Sequence, residues 1–507
     1  MSETHGSPGG KEQALPASSH SNERRPALST KISPIQAAIL VGLTLAVFCV
    51  MGALVVALRA NSQLLSELAV PDPTTAVATP TPVPSAGLVP TTAPSSTVTS
   101  APRPPTPTAT LVVPPDFINR DKLNQIRAIV VNVRGLQPLR EVPSQFLTRA
   151  QLRQHLETEY AAASVSSALE RRREILVALD LLDPSADFRK IALDSAAQNI
   201  GGFYSPEEQV LYLVAESVNM FASEEVVYAH EYTHALQDQH FGLTRFLGEG
   251  MNADEAIAAR ALVEGDATLV MEAYQFSEIT PDQLEYLAYR ASLAEPEVIE
   301  RVSPSLGVLT LFPYLQGSAF AYALWADAGL GWDKIDAAYQ DPPVSSEQIM
   351  HPEKYLAHDA PRVVSLPDLS PALGKGWREV ERDVLGEVGL LAWLLDHLDW
   401  NAASEGAAGW DGDMVTLWSD GQGSTVLVAR SIWDAPGEAA EFFETFTDYL
   451  TRRALGVPQL TLNEAGRRVW EYEGRATFLA RAGDQVLIIL APDRAVLDGV
   501  RSLFPEF

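Results

Sequence analysis

The sequence predicts an α+β protein. A largely helical region with a small mixed sheet is followed by a second α+β module built on an antiparallel sheet, and one transmembrane helix precedes both. Three observations carry this. Residues 222 to 240 and 251 to 276 read as long helices without internal proline, and strand-like residues 201 to 214 lie just upstream. Beyond residue 400 the rhythm changes to short β-branched and aromatic runs separated by Gly and Asp turns. Finally, Ala37 to Leu58 form an apolar run with no charge, long enough to span a bilayer.

Taken in order, residues 1–33 are polar and lack hydrophobic periodicity, the pattern of a disordered cytoplasmic tail. Residues 34–59 are the expected transmembrane helix. Lys11, Arg24, Arg25 and Lys31 precede it and only Arg59 follows closely, so the positive-inside rule puts the N-terminus in the cytoplasm and the rest outside the cell membrane. Residues 60–115 are rich in Pro, Thr and Ser and read as an extended stalk. The single cysteine, Cys49, falls in the apolar run, so the part beyond it must be stabilised by core burial and by any metal it holds. A formal net charge of -28 argues against nucleic acid as a partner.

Residues 116–400 are read as the first folded domain. Thr148 with Gln151 opens helices that continue to about Leu182. In GGFYSPEEQVLYLV, residues 201 to 214, a turn at Ser205-Pro206 separates two strands, which read equally as an ordinary hairpin of the core sheet or as an edge to which an extended peptide adds by backbone hydrogen bonds. The next helix has Ser223 as its expected N-cap and runs unbroken to Gly242. It holds His230, Glu231 and His234 in the pattern H-E-x-x-H.

Two histidines four residues apart lie on one helix face, and their imidazoles can converge on one ion. Neutral imidazoles suit Zn²⁺, and Glu231 can take a proton from a water that the ion activates. A third ligand is needed. His240 has the offset used by metzincins, but Gln237 stands where those enzymes carry a helix-breaking glycine, and an unbroken helix turns His240 away. Glu264 is the better candidate: Asn252 and Glu255 form a capping box that opens a second helix carrying it.

Through HEYTH (His230 to His234) and the VEGDA segment around Glu264, the chain resembles the gluzincin zinc metallopeptidases, most closely a bacterial membrane-anchored branch. The resemblance implies a zincin-like fold and hydrolysis of peptide bonds in a peptide or protein substrate. It further implies one catalytic zinc held by His230, His234 and Glu264, with Glu231 as general base. Gluzincins commonly place an Asp one turn after the ligand Glu. Here Thr268 has that spacing, and Asp266 lies two residues on.

An enzyme of this kind also needs a donor for the oxyanion of its tetrahedral intermediate, and His351, Tyr314 and Tyr355 are the candidates. Pro313 to Trp332 read as helix and 345 to 350 as a short helix. Residues 378 to 398 read as an amphipathic helix closing the catalytic unit, with the small residues that follow as a boundary. Residues 401–507 then form the C-terminal module, with strands at Met414 to Trp418, Thr425 to Ile432 and Arg468 to Leu490, and helices at Glu438 to Leu455 and Asp493 to Leu503. Two rival functions fit the same residues: a zinc amidase acting on cell-wall peptides, or a surface binding module with a structural zinc.

Overall fold

The computed structural model describes residues 120–507, apart from 216–219, 247–249, 286–303, 454–458 and 473. The tail, the transmembrane span and the stalk expected before residue 116 lie outside the described residues. Helix α1 (Arg120–Arg134) is amphipathic, with Leu123, Ile126, Val130 and, on the same stripe, Arg134 buried. Strand β1 (Ser144–Leu147) leads to α2 (Arg149–Ala161), opened by the reciprocal Thr148/Gln151 capping box, then α3 (Ala163–Ala178) and α4 (Phe188–Asn199). The expected hairpin forms as β2 (Gly202–Ser205) and β3 (Val210–Val214). With β1 parallel to β3 on its other side, it makes a small mixed sheet of order β1-β3-β2.

Helix α5 (Ala222–Phe241) packs across this sheet and against α1, burying Val226, Val227, Tyr228 and Leu236 with Leu211 and Leu213. It ends where expected, at Gly242, whose φ of 70° supplies the left-handed cap. Helix α6 (Ala253–Glu278), capped by Asn252 and Glu255, lies beside it. Helix α7 (Pro304–Asp327) then crosses α6 almost backbone to backbone. A Cβ on Gly265 would stand 2.0 Å from the Gly317 carbonyl oxygen, and one on Gly317 2.2 Å from that of Ala261. Only paired glycines allow this approach. Short helices α8 (Asp333–Ala338), α9 (Ser346–Met350), α10 (Pro352–Leu356) and α11 (Ser370–Leu373) follow.

Residues 378 to 398 depart from the amphipathic helix expected there. Arg378–Asp383 is strand β4, paired antiparallel to β5 (Trp410–Ser419), and only Gly386–Leu395 is helical, as α12. Gly386 has a φ of 73°, and a Cβ there would collide with Asp254. That backbone break separates strand from helix, and every residue of α12 is buried. The expected boundary after residue 400 is helix α13 (Trp400–Ala407).

Strands β6 (Thr425–Trp433), β7 (Gln459–Glu464), β8 (Arg467–Tyr472), β9 (Arg475–Ala482) and β10 (Gln485–Ala491) complete a seven-stranded antiparallel sheet of order β4-β5-β6-β10-β9-β8-β7. Helix α14 (Pro436–Arg453) covers one face through Phe442, Phe443 and Phe446, and α15 (Arg494–Arg501) the other through Leu497 and Val500. The first of these cores also takes in Ile175 and Leu176 of α3 and Trp393 of α12, so apolar packing is continuous across residue 400.

The described chain is thus a mixture of helix and sheet, but the predicted fold class needs one correction. Among the described residues no helix is long and apolar enough to cross a membrane. The long helices α6 and α7 place their apolar residues against each other and against α8, α9, α10 and α12, in a protein core.

Candidate metal centre

Helices α5 and α6 bring His230, His234 and Glu264 together. Their burial is almost complete, at 0%, 5% and 1% exposure. His234 Nε2 lies 3.0 Å from His230 Nε2 and 3.4 Å from Glu264 Oε2, and His230 Nε2 lies 3.2 Å from that same oxygen. These three atoms form the only such cluster of potential metal ligands among the described residues. Ligands at about 2.0–2.1 Å from a tetrahedral ion stand about 3.3–3.4 Å apart, so the triangle has the size such an ion requires.

The donors are oriented from behind. Gln237 Nε2 donates to the Val263 carbonyl (3.1 Å) and to Asp266 Oδ2 (2.8 Å), so its Oε1 faces His234 Nδ1 at 2.8 Å. A side-chain amide held this way can only accept there, which puts the imidazole proton on Nδ1 and leaves the Nε2 lone pair pointing into the triangle. Asp266 is itself fixed by Arg134, which donates from Nε at 2.7 Å and from Nη2 at 3.1 Å, and by the Tyr339 hydroxyl at 2.9 Å. The role of Asp266 is therefore indirect: it reaches His234 through Gln237. The backbone of Ala267 meets His230. Thr268 is buried, and its hydroxyl has no partner.

Electrostatics reflect the crowding. Burial by itself would raise the Glu264 carboxyl, but His234 and His230 hold it well below the usual carboxylate range. Burial would likewise lower His234, and the charges of Glu264 and Glu231 instead push it up to about 9. Burial and the neighbouring His234 lower His230. Three lone-pair donors this close repel unless a proton or a cation is shared among them.

Glu231 is fully buried beside the triangle. Its Oε2 accepts from the Tyr204 N–H of β2 at 3.0 Å, and its Oε1 has no hydrogen-bond partner. Burial, reinforced by Glu264, pushes its carboxyl up to about 7. Strand β2 comes this close because residue 202 is glycine: a Cβ there would lie 2.8 Å from the Tyr212 carbonyl oxygen and 3.3 Å from Glu231 Cγ. β2 is an edge strand as expected, yet its four residues are buried and the Tyr204 N–H is given to Glu231, so that position is not open to an added strand.

Of the oxyanion candidates, Tyr314 is fully buried, with its ring 6.2 Å from that of His230. It reaches the site from α7, one turn before the Gly317 crossing. His351 instead hydrogen-bonds Glu387 of α12 through Nε2 at 3.1 Å, and the Tyr355 hydroxyl donates to the Asp341 carbonyl. Neither of these partners belongs to the triangle. His240 binds the Gln137 carbonyl at the exposed end of α5, away from the other two histidines. Ser223 lies inside the first turn of α5. The N-cap is Phe221, whose N–H donates to the Glu224 carboxylate at 3.0 Å.

Sequence reading missed Gln237, Arg134 and the glycine crossing. Arg134 carried a signal, because a charged residue continues the buried stripe Leu123, Ile126, Val130.

A family described as a domain of unknown function (DUF8575) has a model that matches residues 373–501, the stretch containing the seven-stranded sheet and not the triangle. No curated protein and no solved structure matches the chain.

Proposed function

We propose that this protein is a zinc-dependent peptidase that hydrolyses peptide bonds, with Glu231 as general base. The observation that carries the reading is the buried carboxylate of Glu231, one oxygen unpartnered, beside three converging donors of the type and spacing that suit zinc. A structural site needs the three donors and has no use for that acid. When bound, the ion would act as a Lewis acid and lower the pKa of a coordinated water.

The chain's own residues supply the rest. Glu231, held by Tyr204 through Oε2, keeps Oε1 free to accept a proton and to return it to the leaving amine. Tyr314, packed against His230, offers a hydroxyl to the oxygen on which negative charge develops. Gln237 keeps His234 in the tautomer whose Nε2 can bind metal.

Hydrolysis of a mixed peptide library by the zinc-loaded full chain tests this against Glu231→Gln. The variant should keep its zinc and lose about 10²–10⁴-fold in rate. Equal rates in the two proteins would remove Glu231 from the chemistry, and a wild type that binds zinc but cleaves no peptide would end the peptidase reading.

A further inference from the structure

Glu231 is not the only acid of α5 that β2 engages. Asp238 lies seven residues further along the helix, two turns on and only about 20° around the axis, so the two carboxylates share one face. Tyr204 of β2 meets both. Its backbone N–H donates to Glu231 Oε2 at 3.0 Å, and its side-chain hydroxyl donates to Asp238 Oδ2 at 2.9 Å. Arg140, from the segment between α1 and β1, closes the arrangement: its Nη2 donates to the same Asp238 oxygen at 2.8 Å and to the Tyr204 hydroxyl oxygen at 3.3 Å. Arg140 is placed in turn by its own N–H, which donates to Gln239 Oε1 at 2.9 Å, and Asp238 Oδ1 accepts from the Leu243 N–H at 3.1 Å.

This grip matters because β2 is short and has a strand on one side only. Its four residues pair with β3, from Gly202 opposite Leu213 to Ser205 opposite Val210, and no strand holds the edge from which the Tyr204 N–H reaches Glu231. The position of that N–H therefore depends on what ties β2 to α5, and the Tyr204 phenol is such a tie, two turns away from Glu231. Burial and the Asp238 charge push the phenol above its ordinary range, which keeps the hydroxyl protonated and donating. A base that works through one oxygen needs the other one held, and a displacement of about 1 Å at a reacting group costs about 10²-fold.

We infer that Tyr204, pinned by Asp238 and Arg140, is a positioning residue that sets the orientation of Glu231. The inference rests on the peptidase reading for the role of Glu231 as general base. Tyr228 makes the useful contrast. Its hydroxyl, held by Arg127 Nε at 2.8 Å and by Ser144 Oγ at 3.0 Å, ties α5 to β1 in the same manner, but these partners do not hold Glu231.

The test compares the zinc-loaded full chain with Tyr204→Phe, measuring kcat and KM on one peptide that the wild type cleaves. The substitution keeps the ring and leaves Asp238 with Arg140 and the Leu243 N–H, so it strands no charge. It should lower kcat roughly tenfold with KM and zinc content unchanged. In the Glu231→Gln background it should leave the residual rate as it is, because the group it acts through is already gone. Asp238→Asn, which keeps an acceptor for the hydroxyl, should lose less than Asp238→Ala, and Tyr228→Phe should keep the wild-type kcat. Amide deuterium exchange gives a readout without turnover: residues 202–205 should exchange about tenfold faster in Tyr204→Phe, with α14 unchanged. Thermal unfolding checks that each variant is folded. Should Tyr204→Phe fail that check, Arg140→Gln, at a side chain 34% exposed, carries the same comparisons.

An unchanged kcat in Tyr204→Phe, or an equal loss with and without Glu231, overturns the inference. A wild type that cleaves no peptide ends the peptidase reading, and exchange then decides the clamp by itself: faster exchange at 202–205 leaves the Tyr204 and Asp238 tie standing as what holds β2 to α5, and unchanged exchange removes it.

Discussion

Glu231 and Asp413 are both buried carboxylates, one beside the His230, His234 and Glu264 triangle and one where α12 meets the large sheet. Asp413 accepts from the N–H groups of Leu385 and Gly386 and from the Trp410 indole, at 2.9 to 3.0 Å, so each oxygen is used. Glu231 has one bond and a bare oxygen. Burial pushes both carboxyls up, Asp413 to about 6 and Glu231 to about 7. What separates them is satisfaction. Asp413 ties the start of α12 to β5 and has nothing left to offer a substrate, whereas Glu231 keeps an acceptor in reserve inside a low-dielectric site.

The surroundings repeat the contrast. The sheet end is built from Trp410, Trp433, Phe442 and Ile488, whereas the end with the triangle buries Arg134, Asp266, Gln237 and two histidines. A buried polar group with a full set of partners holds the fold. Glu231, with an incomplete set beside convergent donors, is the group on which the proposed chemistry rests.

The largest stability change expected from breaking this contrast lies at Asp266. Replacing it with Ala removes the acceptor of Gln237 and Tyr339 and leaves the buried Arg134 with Asp336 as its remaining carboxylate, which should cost about 3 kcal/mol in urea unfolding. A variant with wild-type stability would show that the network does not hold the site.

A second test uses pH at the junction between the two ends. Burial raises the Asp254 carboxyl from 3.8 to about 8, so the folded chain holds a proton there that the unfolded chain has released at neutral pH. The stability linked to this group is complete at low pH and is lost as pH rises toward about 8. Asp254→Asn should flatten the fall in unfolding free energy between pH 5 and 8, which for one group is at most about 1.4 kcal/mol per pH unit. Parallel curves for the two proteins would contradict the assignment.

Smaller still is the effect at Gln237. Gln237→Leu frees the His234 tautomer and should weaken zinc binding by about 10–100-fold in competition with a chelator. A matching Asp413→Asn variant should leave zinc affinity unchanged, because Asp413 serves the fold alone.

Much of the candidate site was legible in the sequence because it is local. The unbroken helix with H-E-x-x-H, the Gly242 stop and the capping box at Asn252 are short-range signals, and all three are present. What was not legible depends on distant partners. Residues 378–383 became a strand because β5 offers them an edge, and no periodicity within the segment announces that. The Gly265 and Gly317 crossing involves two glycines that each look like ordinary helix-weakening residues until their helices meet. Arg134 obeys one rule that sequence reading could have used, that a charge on an otherwise buried stripe needs a partner; it pairs with Asp266 and Asp336.

The most direct test of the central claim is X-ray absorption at the zinc edge of the zinc-loaded full chain, wild type beside His234→Ala. The account predicts two imidazole nitrogens and light oxygen ligands at about 2.0–2.1 Å, with one imidazole lost in the variant. A spectrum without imidazole scattering, or one unchanged by His234→Ala, would place the metal elsewhere and contradict the assignment of His230, His234 and Glu264.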